Sequence, residues 1–122
     1  TGINAKTVAT TLLYTVPTGN SLVVTFIVVR VTSFTSGGKT VQAIMSIGGN
    51  SPSFNNYANT SNTFTVTGVN NALITGISSY MAVTDPVETP VYASGINFTL
   101  NITTGSNATT ETWAIDLFGY LI

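Results

Sequence analysis

"GINFTLNITT", residues 95–104, is the stretch whose reading decides the fold. Ile96, Phe98, Leu100 and Ile102 fall on one side of an extended chain, and Asn97, Thr99, Asn101 and Thr103 on the other. A period of two is that of a strand with one buried and one wet face. The same period groups Val41, Ala43, Met45 and Ile47 in "TVQAIMSIG" (40–48) and turns Phe64 and Val66 inward in "NTFTVTG" (62–68). Val and Thr branch at Cβ, which suits a pleated surface and resists helix.

Turn residues separate these runs. "VPTGN" (16–20) reads as a tight turn between strands over 7–16 and 21–34, and "SGGK" (36–39) links the second strand to the third. "TDPVETP" (84–90) is a Pro-bounded loop, and "GSN" (105–107) reads as the turn of a hairpin between 95–104 and 110–122. The stretch 69–83 sets Leu73, Ile77 and Met81 at helical spacing, but Gly76 and its β-branched residues favour a strand with irregular flanks. The expected fold class is all-β, an antiparallel β-sandwich of about eight strands, for which the jelly roll is the expected form. An immunoglobulin-type sandwich is the alternative, without the Cys and Trp pattern that would mark it.

The 122 residues make one domain, 1–122, long enough to bury a core without metal or disulfide. "TGINAKT" (1–7) is polar and carries Lys6, and reads as a flexible N-terminal arm, either a docking element or a frayed end. The chain opens on Thr1 with no signal-peptide pattern, so a processed start is expected. There is no Cys and no His, which removes thiolate sites, the commonest general base and the commonest metal ligand. Of the four acids, only Asp85 and Glu88 stand close in sequence, and they read as a solvated loop. No phosphate-loop spacing or EF-hand run occurs. We therefore expect no enzyme and no cofactor. A net charge of −1 argues against a nucleic-acid partner, and "LVVTFIVVRV" (22–31) is too short to span a bilayer. Charged residues are only 6% of the chain, with 23 Thr and 12 Asn in their place, so a surface that spends its life packed against other subunits is one expectation.

Two strands do not alternate cleanly. In 22–34, Val23, Ile27, Val29 and Val31 make one row, while Leu22, Val24, Phe26, Val28 and Phe34 make the other together with Arg30. In 113–122, Trp113, Ile115, Leu117 and Leu121 share the expected core face, and Ala114, Asp116, Phe118, Tyr120 and Ile122 share its opposite. A strand apolar on both faces is covered on both. A sandwich has one core, so Phe26, Val28, Phe118, Tyr120 and Ile122 are expected at an interface, against a loop or another subunit. Arg30 and Asp116 fall in these second rows and are candidates for a structural ion pair; the alternative is that each points to solvent.

The long loop "GGNSPSFNNYANTS" (48–61) holds Phe54, Asn55, Asn56 and Tyr57. Aromatic rings with amides can take a sugar, and can equally anchor a loop on its own sandwich or on a neighbour, so a glycan is a possible ligand. Four N-x-[ST] sequons, at Asn59, Asn97, Asn101 and Asn107, follow from an Asn- and Thr-rich composition.

"LLYTVPTGNSLVVTFIVVRVTSF" (12–34), "SIGGNSPSFNNY" (46–57) and the closing "AIDLFGYLI" (114–122) together resemble small structural proteins of tailed-bacteriophage virions. The shared pattern is a Tyr–Val–Pro–x–Gly turn, a Val-rich strand bearing one Arg, a Gly–Asn loop and a final Asp–Leu–x–Gly–Tyr strand. The resemblance covers most of the chain except 69–92. It implies a jelly-roll or related module that trimerises as a capsid decoration (cement) protein, on the major capsid protein at the outer surface of the virion. A receptor- or glycan-binding module of a head or tail fibre is the alternative it carries. The residues alone also allow a neutral lectin-like domain. In the resemblance Arg30 and Asp116 are structural positions.

Overall fold

The computed structural model describes residues 2–39, 41–49, 58–76 and 91–122, with backbone alone over 58–63 and 73–76. Among these residues there is no helix, and nine strands run in chain order: β1 Ile3–Asn4, β2 Ala9–Thr15, β3 Leu22–Thr35, β4 Ala43–Gly48, β5 Ala58–Phe64, β6 Ala72–Gly76, β7 Val91–Tyr92, β8 Asn97–Thr104 and β9 Thr110–Leu121. Two antiparallel sheets result. One has the order β1-β9-β3-β6, with β7 also pairing β3, and the other has the order β2-β8-β4-β5. The pairing is nested: β1 with β9, β2 with β8, β3 with β6, β4 with β5.

The two sheets pack face to face as a β-sandwich. Ile27, Val29, Val31 and Trp113 from the first meet Met45, Ile47, Phe98, Leu100 and Ile102 from the second in one core. Ring contacts cross the gap: Phe64 lies against Trp113 at a centroid distance of 5.3 Å, and Tyr92 edges onto Phe98 at 4.8 Å. Aromatic pairs of this tilted kind are the favourable ones. The alternation read in 95–104 therefore places Phe98, Leu100 and Ile102 in the core, but Thr99, expected on the wet face, is buried as well, with its Oγ1 donating to the Gly48 carbonyl at 3.2 Å.

Three sequence expectations change. First, "GSN" closes no hairpin, because β8 and β9 belong to different sheets. Residues 105–109 turn a corner between the sheets and are tied down there. Ser106 N–H donates to the Ala5 carbonyl at 2.9 Å, and Val41 N–H donates to Asn107 Oδ1 at 3.0 Å. The corner runs so close to the N-terminal segment that a Cβ on Gly105 would strike the Lys6 carbonyl. Gly105→Ala is accordingly expected to lower stability by about 1–3 kcal/mol, the usual range for overpacking, read as a fall in melting temperature.

Second, the N-terminal segment is no free arm over the described residues 2–7. Ile3 pairs Trp113, Asn4 pairs Thr112, and Ile3 and Ala5 are buried. Two apolar side chains two residues apart give this short segment a face to bury.

Third, β3 does not keep one parity. Its pairing with β9 slips between Val24 and Phe26 and again between Val31 and Ser33. Each slip admits an extra residue, which turns the strand over. Leu22 and Val24 therefore face the core together with Ile27, Val29 and Val31, and Phe34 packs against it, whereas Val23 drops out of the core cluster. A threonine sits at each slip and secures it from its side chain: Thr25 Oγ1 donates to the Phe118 carbonyl at 2.9 Å, and Thr32 Oγ1 to the Thr112 carbonyl at 3.1 Å. On β9, Trp113 is fully buried and Ile115 and Leu117 are partly so, but Leu121 is exposed where the sandwich opens at its end. Val41, outside β4, is exposed as well.

Candidate functional site

The outer faces of the two sheets differ in chemistry. On the second sheet the outward side chains are polar, with Ser46 and Thr99 buried among them, and they tie themselves together. Thr10 Oγ1 donates to Asn101 Oδ1 at 2.9 Å, Thr15 Oγ1 to Asn97 Oδ1 at 2.8 Å, and Thr103 Oγ1 to the Ile44 carbonyl at 3.2 Å. Thr10 with Asn101 and Thr15 with Asn97 are cross-strand neighbours by register, so their pairing of hydroxyl with amide follows from the ladder itself. Leu12 is the exposed apolar exception there.

On the first sheet the outer face is apolar. Phe26 pairs Phe118, Val23 pairs both Tyr120 and Val91, and Val28 pairs Asp116. Residues directly opposite in a ladder share a face, so the two slips and the alternation of β9 bring Phe26, Val28, Phe118, Tyr120 and Ile122 onto one surface. Their exposure decides what kind of surface it is: Phe26 38%, Phe118 45%, Tyr120 55% and Ile122 65%. The Phe26 and Phe118 rings stack at 4.3 Å with an interplanar angle of 16°. All five residues expected at an interface are thus gathered on this face.

Arg30 and Asp116 lie on the same face. Arg30 is opposite Ala114 and Asp116 is opposite Val28, one diagonal step apart on adjacent strands. Both are exposed, and among the described residues no ion pair or hydrogen bond holds either side chain. The expected pair within one chain is therefore not formed, because both groups stand clear of the core with water available to them. Phe54, Asn55, Asn56 and Tyr57, the possible ligand loop, lie outside the described residues.

Two hollows follow β9 on the side where β1 stops after Asn4. One, of about 290 Å³, lies between β2 and β9 and is lined by Leu13, Ile115, Leu117 and Asp116 among others. The other, of about 190 Å³, is lined by Tyr14, Leu22, Leu117, Gly119, Tyr120 and Leu121. Among the described residues no group of three or more His, Cys, Asp or Glu is placed to hold a metal ion.

Glu111 is the charged residue among the buried polar groups of the described residues. Glu111 is 1% exposed, and its Oε1 accepts a hydrogen bond from Trp113 Nε1 at 3.0 Å, while among the described residues Oε2 has no partner. The sequence held a signal for this burial. Glu111 and Trp113 are two apart and so share a face, and a buried indole N–H needs an acceptor.

No protein-family model matches the chain, and no curated protein or solved structure matches it.

Proposed function

We propose that the chain is a structural protein of a tailed-bacteriophage virion: a capsid decoration (cement) protein that trimerises and seats on the major capsid protein at the outer surface of the head. The observation that carries the assembly part is the contrast between the two outer faces. The Thr–Asn pairs along β2 satisfy their polar groups within the chain and need no partner, whereas an exposed apolar face bearing a stacked Phe pair suits a protein partner. The virion part rests on the resemblance of 12–34, 46–57 and 114–122. The sandwich is, in this reading, a jelly roll, a form found in capsid domains. The nested pairing of first strand with last, second with second-last and so inward supports that form.

A decoration protein needs no catalytic group. It contributes buried area at roughly 25 cal/mol per Å², and repetition over a symmetric shell turns a modest contact into a strong collective one. The test is to add the purified protein to heads lacking it, sediment them and image the pellet. Dense, regular decoration of the shell and greater resistance to heat are expected. Absence of the protein from the shell, or its presence at a few copies on fibres, would overturn the reading.

A further inference from the structure

We infer that Arg30 and Asp116 pair between neighbouring copies of this chain and set the register in which their outer faces adjoin around the trimer axis. The inference rests on the self-association in the proposed function, but not on the capsid. Among the described residues this face carries one cation and one anion, flanked by Phe26, Val28 and Phe118. Any partner that covers the stacked rings also takes water from these charges, and an unpaired charge in such a contact is costly. A partner of another kind would have to bring its own acid and base at matching positions. A second copy brings them already: the two charges are opposite in sign and one diagonal step apart, so Arg30 of one copy meets Asp116 of the next and the face complements itself. The diagonal spacing is also within reach of a long side chain inside one chain, and yet that pair is not formed, which leaves both groups available.

The test uses the full chain and reads self-association by sedimentation. Arg30→Asp and Asp116→Arg each set like charges against each other and are expected to weaken association about 100-fold or more. The double variant Arg30→Asp/Asp116→Arg is expected to restore it. Thermal melts of the single variants should stay near the parent, since both side chains are exposed. A second measurement does not depend on those variants. The chain has no Cys, so Arg30→Cys and Asp116→Cys can be purified apart, mixed and treated with a short bismaleimide. An Arg–carboxylate pair spans more than the Cβ separation of about 4.5 Å that a disulfide allows, so the linker bridges the gap, and the mixture should cross-link several-fold more than either variant alone. A monomer at all concentrations, single variants that associate like the parent, or a mixture that cross-links no better than its parts would each overturn the inference. Decoration of heads is scored separately, so it can survive loss of this contact, and this contact can survive failure of decoration.

Discussion

Trp113→Phe lowers the unfolding free energy by about 3 kcal/mol, of which roughly 1–3 comes from the buried acceptor left without its donor and about 1 from the cavity. Trp113 is the largest fully buried side chain of the core, and its Nε1–H is the hydrogen bond Glu111 makes. With phenylalanine there, neither carboxyl oxygen of Glu111 has a partner among the described residues, since Oε2 has none in the parent. The distinguishing result is the double variant. Removing both members of a buried polar pair is far cheaper than removing one, so Trp113→Phe/Glu111→Leu should be more stable than Trp113→Phe alone. Urea denaturation of the four proteins closes the cycle, and a coupling energy of at least about 1 kcal/mol is expected. Additive single effects would mean that the pair is not a unit.

Gly119→Val should cost about 2–3 kcal/mol by overpacking, although Gly119 is exposed. Gly119 stands opposite Val24, beside the slip that Thr25 creates in β3, and a Cβ on it would run into the Val23 carbonyl. The obstacle is backbone and cannot swing away as a side chain would. To admit the valine, β9 must part from β3 just where Phe118 reaches Phe26, so the stacked pair is lost along with the local ladder. Gly68→Ala is the matched control, because a Cβ there meets nothing and the backbone is ordinary; a change within about 0.5 kcal/mol is expected. A Gly119→Val protein as stable as the control would show that the slip at Thr25 can be relieved.

The period of two made the strands legible. It placed Phe98, Leu100 and Ile102, and Ala43, Met45 and Ile47, in the core, and all six are buried. It failed where the ladder slips. Thr25 and Thr32 are good strand residues, and nothing in their chemistry announces an extra residue. A parity carried through them misplaces Leu22, Val24 and Phe34 on one side and Val23 on the other. Sheet membership was hidden for a related reason. "VPTGN" and "GSN" have the residues of tight turns, but turn chemistry fixes only how sharply the backbone bends, not which sheet receives the next strand. Among the described residues only β4 and β5 pair directly with a sequence neighbour. The outer face was half legible: the second rows of β3 and β9 announced an apolar surface with two charges, and the structure adds that they lie a diagonal step apart without touching.

The nested pairing has a consequence in time. Ile3 lies against Trp113, and β9 is the strand on which both β1 and β3 close. The first sheet cannot assemble until its last strand is present, so a chain leaving the ribosome waits, with β3 exposing Val24, Ile27 and Val29, until β9 emerges. Closing such distant pairs costs loop entropy before any contact repays it. Refolding from urea is therefore expected on the millisecond-to-second scale typical of sandwiches rather than in microseconds. A fragment ending before Thr110 should be captured by chaperones or aggregate rather than fold.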